Sequence, residues 1–261
     1  MRRWQVQGLG ALVAALALVV GHTTERTAAT DPMRAAGPVV LVAGASGKTG
    51  RHVVTQLLDQ GYRVRPLTTN AFHARERTGL DIDWLEVDVR DPEAVAAAMV
   101  GVEYVISAIG AREWRGDNSP RFVDYGGVRN LVDAANAAGA RHFVLISSAA
   151  AGPHRDHRDN PRLGYVLFWK TKGEAYLRAS GLDYTIIGPG GLVDGPARRS
   201  GIRVSRREDY RRALISRADV AWLTIAVLTE PAARNKSFAV VNDDELGQDD
   251  WVVQLRRLPG D

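Results

Sequence analysis

Apolar residues in this chain fall into short blocks of alternating kind. Val39-Val40-Leu41-Val42 is an uninterrupted apolar run that predicts a strand, and Val53, Val54, Leu57 and Leu58 follow at helical spacing up to a stop at Gly61. The alternation then continues. Tyr62 to Thr68 and Asp83 to Val89 predict two more strands, and Pro92 opens a helix with Val95, Met99 and Val100 on one face. Tyr104 to Ile109 predicts a fourth strand. Val128, Leu131, Val132 and Ala135 mark a helix from Asp124 to Ala138, stopped by Gly139. Phe143 to Ser147 is a fifth strand, Leu163 to Ser180 a long helix ending at Gly181, and Tyr184 to Ile187 a sixth strand. A helix over Ser216 to Thr229 and a strand over Phe238 to Val241 complete the series. Such alternation predicts an α/β fold with a doubly wound, mostly parallel sheet, helices on both faces, and a short substrate-side extension. Ligands of that architecture sit at the carboxyl ends of the strands, where Gly44, Asp88, Gly110, Ser147 and Pro189 fall.

The first strand runs into VAGASGKTGR, which admits two readings. Gly47-Lys48-Thr49 resembles the end of a phosphate-binding P-loop, G-x-x-x-x-G-K-[ST]. That spacing requires glycine at position 42, which is Val42. The P-loop reading fails there. Gly44, Gly47 and Gly50 between a strand and an amphipathic helix instead fit a dinucleotide turn, with a pyrophosphate on the helix N-terminus.

Composition narrows the picture further. The 261 residues are 45% hydrophobic, enough for one domain with a large core. Cysteine is absent, which excludes disulfides and thiolate metal sites. Arg2 and Arg3 precede an uncharged apolar stretch from Gly8 to Gly21 that resembles a secretory signal or anchor, with small residues at Thr27-Ala28-Ala29. A cytoplasmic product starting at Met33 is the competing reading. The expected organisation is a signal-like or membrane-associating segment and linker over 1–32, a nucleotide-binding domain over 33–241, and a tail over 242–261. His154-Arg155-Asp156-His157 reads as a polar substrate-side loop rather than a metal site. The net charge of +4 owes much to Arg198, Arg199, Arg203, Arg206, Arg207, Arg211 and Arg212, expected on an exposed hairpin. No nucleic-acid motif accompanies them.

From about Val39 to Val241 the chain resembles the short-chain dehydrogenase/reductase superfamily, in its atypical NAD(P)H-binding branch. The resemblance rests on GASGKTG, Glu86-Val87-Asp88-Val89, Asp124-Tyr125-Gly126-Gly127-Val128 and Phe143-Val144-Leu145-Ile146-Ser147-Ser148. It extends through Lys170-Thr171-Lys172-Gly173-Glu174, Ser180 to Thr185, Gly188-Pro189-Gly190-Gly191-Leu192 and Ile215 to Ala221. It implies a small-molecule substrate and a nicotinamide cofactor. Gly44, Ser46, Gly47, Lys48, Thr49 and Gly50 would carry the pyrophosphate, with Thr69 after the second strand. Asp88 and Val89 would face the adenine, and Ser107, Ala108, Ile109 and Gly110 would run beneath the cofactor. Lys170 would reach the nicotinamide ribose, with Ser147 and Ser148 beside the ring as the other candidate catalytic groups. Pro189, Gly190, Gly191 and Leu192 would close over the nicotinamide amide.

Three departures from the family pattern shape the expectation. Leu67-Thr68-Thr69-Asn70 lacks the acid that NAD-specific sites place on the ribose, which favours NADP(H), with Lys48, Arg75 or Arg77 as phosphate partners. Val166 stands where the family has its acid tyrosine, four residues before Lys170; Tyr165 is adjacent but rotated about 100° on a helix. Ordinary ketone reduction is therefore disfavoured relative to hydride transfer to a quinone- or flavin-like acceptor. The rival expectation is an NADP(H)-binding sensor or assembly protein without turnover. The family's Arg-Pro-Gly, finally, reads Gly188-Pro189-Gly190.

Overall fold

The computed structural model describes residues 1, 37–154 and 165–261. The signal-like segment and most of the His154–His157 cluster lie outside the described residues. Residues from Ala36 to Asp261 form one compact unit.

The strands are β1 (Val39–Ala43), β2 (Arg63–Thr68), β3 (Leu85–Glu86), β4 (Tyr104–Ser107), β5 (His142–Ile146) and β6 (Tyr184–Pro189), followed by β7 (Gly191–Val193), β8 (Gly201–Ser205), β9 (Leu214–Ser216) and β10 (Lys236–Asp243). The main sheet runs β3-β2-β1-β4-β5-β6-β10-β8, while β7 and β9 pair separately. Among the described residues every pairing is parallel except β10 with β8. The doubly wound, mostly parallel expectation holds. The helices are α1 (Gly50–Asp59), α2 (Ala71–Thr78), α3 (Pro92–Ala98), α4 (Val128–Ala137), α5 (Val166–Arg178), α6 (Arg217–Ala226) and α7 (Asp250–Arg257). They build a core on each sheet face. Val53, Val54 and Leu57 of α1 share one cluster with Leu223 of α6 and with Trp251 and Leu255 of α7. Val95, Leu131, Val132 and Leu177, from α3 to α5, belong to the other.

Four local expectations change. The third strand shrinks to two paired residues because β3 is an edge, matched only to Leu67 and Thr68 of β2. The first four residues of the helix expected from Asp124 belong instead to a π-helical turn, Arg121–Gly127, and the α-helix begins at Val128. The expected tail over 242–261 instead completes β10 and forms α7, whose Trp251 and Leu255 are buried. The expected basic hairpin contains β8, with Ile202 and Val204 buried and Arg207 only 4% exposed.

β8 is the free edge at its end of the sheet. There Gln254 of α7 acts as a one-residue strand mimic: Val204 N–H donates to its Oε1 at 2.9 Å, and its Nε2 donates to Ile202 O at 3.1 Å.

Candidate cofactor and active site

Packing assigns different duties to the three turn glycines. Gly44 adopts φ +75°, and a Cβ on it would lie 2.7 Å from Ala108 O. A Cβ on Gly50 would lie 2.1 Å from Gly44 O. These two glycines let the turn fold onto itself and onto the chain leaving β4. Gly47 lies outside the left-handed region, and among the described residues an added Cβ would meet only Gly44 O, at 3.1 Å. Its bare face lines a cavity of about 450 Å³. At the head of α1, Thr49 makes no side-chain cap and the first turn holds no acid. That leaves the helix N-terminus suited to an anion.

Among the residues expected to bind cofactor, Gly44, Ser46, Gly47, Thr69, Asp88, Val89, Ala108, Ile109 and Gly110 line this cavity. Lys48, Thr49 and Gly50 belong to the same turn without lining it. Ser107 is wholly buried in β4. Ser46 Oγ and Thr68 Oγ1 lie 3.2 Å apart, and Arg77 of α2 donates to Ser46 O at 3.4 Å. Arg90 escaped the sequence reading. Its Nε donates to both Asp88 carboxylate oxygens, at 2.9 and 3.0 Å, and its Nη2 to Oδ2 at 2.5 Å. Those bonds hold the Asp88 carboxyl below the usual range. Arg90 lines the cavity too, so the wall expected to face the adenine presents an ion pair instead of a lone acid.

Lys170 lines a second, small cavity together with Ser147, Ile109 and Asp124. Its Nζ lies 2.7 Å from Oδ1 of Asp124, a residue shielded from solvent. The other Asp124 oxygen accepts from Ala111 N at 2.9 Å, tying the ammonium to the loop after β4. The π-helical turn delivers Asp124, and two glycines let that turn approach its neighbours. A Cβ on Gly173 would lie 2.9 Å from Asp124 O, and one on Gly127 would lie 2.7 Å from the Val89 side chain. Asn130 Nδ2 donates to Val89 O at 3.0 Å and fixes the same corner.

The two serines differ. Ser147 Oγ donates to Glu174 Oε1 at 2.5 Å, so its proton is committed inward. Ser148 Oγ accepts from Ala150 N at 3.3 Å and keeps its own proton to give. Tyr165 is the N-cap of α5 at φ 55°, with Val166 the first helical residue, and it lines neither cavity. Pro189 to Leu192 line neither cavity either. Gly191 donates to Ala213 O at 2.9 Å, and β7 pairs with β9.

A glycine turn feeding an uncapped helix at the carboxyl edge of a parallel sheet defines a dinucleotide-binding Rossmann protein. The sequence model of NAD(P)H-binding proteins matches residues 44–231, and the chain belongs to that family. Protein TIC 62 of Pisum sativum chloroplasts is 31% identical over 216 residues, covering 74% of this chain; the chain spans only 40% of that protein. Sanguinarine reductase of Eschscholzia californica is 31% identical over 242 residues, covering 76% of this chain and 87% of the reductase. The solved structure of ChuY, an anaerobilin reductase of Escherichia coli O157:H7, superposes with a TM-score of 0.66 at 26% identity, covering 79% of this chain and 98% of ChuY.

Proposed function

We propose that the chain is an oxidoreductase that moves hydride between NADP(H) and a small acceptor, quinone- or flavin-like rather than a simple ketone. The observation that carries this reading is Lys170 Nζ, held 2.7 Å from buried Asp124 beside the Ser147 end of β5, with Val166 in place of a phenol. Bound NADP(H) would supply the hydride. Gly47 and the head of α1 would hold the pyrophosphate, and Lys170, braced by Asp124, the nicotinamide ribose. Ser148 would offer its hydroxyl to the acceptor. With no phenol to deliver a proton, the acceptor must be one whose reduced form takes protons from solvent. The similarity to two named reductases supports an enzyme. The second reading, NADP(H) binding without turnover, is supported by Val166 and by the outward placement of Tyr165. An acceptor screen decides between them: tight NADPH binding with no oxidation by any quinone, flavin or carbonyl would remove the enzyme reading.

For NADP(H) over NAD(H), the support is Arg77, which reaches the turn at Ser46 O. The first N–H of α2 already donates to Glu86 Oε1 at 2.7 Å, so a 2′-phosphate there would draw on Arg77 rather than on the helix. Arg77→Ala is expected to weaken NADPH roughly tenfold while leaving NADH unchanged. An equal loss for both cofactors would refute the assignment. Residues 1–32 we read as an export or anchoring segment. N-terminal sequencing of the native protein tests this, and a product beginning at Met33 would overturn it.

A further inference from the structure

Gly188 of β6 carries no side chain, yet the space beside it is full. A Cβ built on Gly188 would lie 2.5 Å from Arg207 Nη1, 2.7 Å from its Cζ and 2.9 Å from its Nε. The guanidinium standing there arrives from just after β8. It is almost wholly buried, its Nε has no hydrogen-bond partner among the described residues, its Nη1 reaches only Ser237 Oγ at 3.5 Å, and Nη2 carries the close polar contacts that offset its burial. Arg207 Nη2 donates to Ser148 O at 2.6 Å, to Glu174 Oε1 at 2.8 Å and to Ala151 O at 2.9 Å. Two of these acceptors are carbonyls of the loop leaving β5. The third is the carboxylate that takes the Ser147 proton.

We propose that Arg207 is a positioning residue of the cofactor site, matched to Gly188. It fills the volume that a side chain at 188 would occupy. Through Glu174 and the two carbonyls it fixes the Ser147 hydroxyl and the Ser148–Ala151 backbone at the nicotinamide end. Because Ser147 gives its proton to Glu174, its oxygen lone pairs are left for the cavity shared with Lys170. Without Arg207, Ser148 O and Ala151 O lose this donor and Glu174 Oε1 keeps only Ser147 among these contacts. The loop under the nicotinamide is then free to shift, while the glycine turn at the other end is untouched. The sequence pattern points to the same pairing: the arginine missing ahead of Pro189 is supplied from the substrate-side extension. The same segment is tied to the β6 exit a second time, since Ala213 O, six residues further on, accepts from Gly191 N.

The proposal rests on the cofactor reading, so its test separates the two ends of the cofactor. NADPH and 2′-phospho-ADP-ribose, which lacks the nicotinamide, are titrated by calorimetry into wild type, Arg207→Ala, Gly188→Arg and the double variant. Circular dichroism first establishes that each is folded at the working temperature. Arg207→Ala is expected to weaken NADPH roughly fivefold or more, leave the fragment within about twofold, and lower the melting temperature by roughly 5–10 °C. Gly188→Arg alone is expected to be destabilised by the collision with Arg207. The double variant should regain most of the stability and the NADPH affinity, because the guanidinium returns to the same volume from the other strand. If Arg207→Ala alone does not fold, recovery of folding in the double variant supports the proposal and its absence overturns it. Equal weakening of NADPH and fragment, no weakening of either, or a double variant no better than Arg207→Ala would also overturn it. Wild-type protein that binds neither ligand would defeat the cofactor reading first, and this proposal with it.

Discussion

At the scale of single residues, the glycine turn makes predictions that differ by one methyl group. Gly47→Ala adds a carbon whose only close neighbour among the described residues is Gly44 O, on the face proposed to take the pyrophosphate. NADPH affinity should fall roughly tenfold, about 1.4 kcal/mol, with the melting temperature nearly unchanged. Lys48→Ala should cost less, since Lys48 does not line the cavity. Gly50→Ala should behave in the opposite way, because its Cβ would sit 2.1 Å from a backbone oxygen. There the fold itself should suffer, by roughly 1–3 kcal/mol or more. Paired NADPH titrations and thermal melts check all three; a Gly50→Ala protein as stable as wild type would contradict the geometry. The existence of this turn was legible in the sequence, because Val42 stands where a P-loop needs glycine and rules that reading out. The division of labour among the glycines was not, because it depends on which carbonyl of the β4 exit or of the turn lies opposite each Cα. Arg90 was hidden for a related reason. An arginine two residues after an acid is unremarkable until the backbone folds one back onto the other.

Among elements, the π-helical turn is the informative one. The apolar stripe of α4 was readable, and the same stripe gave no sign that the preceding turn would be wound differently. Its effect is to turn Asp124 into the protein, where it meets Lys170 and the Ala111 amide. Asp124→Asn keeps an oxygen for Ala111 and removes the charge opposite Lys170. A loss of roughly 1–3 kcal/mol in urea unfolding is expected, smaller than for a fully buried pair because Lys170 keeps some contact with solvent. NADPH affinity should fall with it. An Asn variant indistinguishable from wild type in both measurements would show that the pair is incidental. Helix α2 was missed because it has almost no apolar face, with Ala74 its one buried residue; Asn70, which accepts from His73 N at 2.8 Å, and a left-handed Gly79 define it instead. The arginine run hid β8 because the alternation of Ile202 and Val204 is only two residues deep.

Across the whole molecule, one buried base sets an acid limit. His142 lies within β5, out of contact with solvent, 2.9 Å from Thr185 Oγ1 through its Nε2. Thr185 gives its own proton to Ala233 O at 2.8 Å, so the imidazole must donate from Nε2. Burial lowers its pKa from 6.5 to about 4. The folded state thus prefers the neutral ring. That preference is fully present above pH 6.5, is lost as the pH falls from there toward 4, and changes no further below. The whole effect amounts to roughly 3 kcal/mol. Urea midpoints across this window, compared with His142→Gln, isolate the contribution. A wild-type curve that tracks the variant would show that burial of His142 carries no proton linkage.

The last twenty residues, which resemble a tail in sequence, have a consequence for behaviour at high concentration. An open strand edge is a template on which another chain can add itself, and Gln254 occupies that template at β8 with a side-chain amide that cannot propagate further. Replacing Gln254 by Leu removes two side-chain bonds, a loss of about 1 kcal/mol each at most, and α7 should stay packed through Trp251 and Leu255. The damage should appear elsewhere. Light scattering of concentrated, still-folded Gln254→Leu protein is expected to grow with time where wild type stays clear, and an equally clear variant would mean that Arg203 and the twist of the edge suffice. On the expected outcome, the Gln254 amide would guard the sheet edge by contacts separate from those that keep the protein folded.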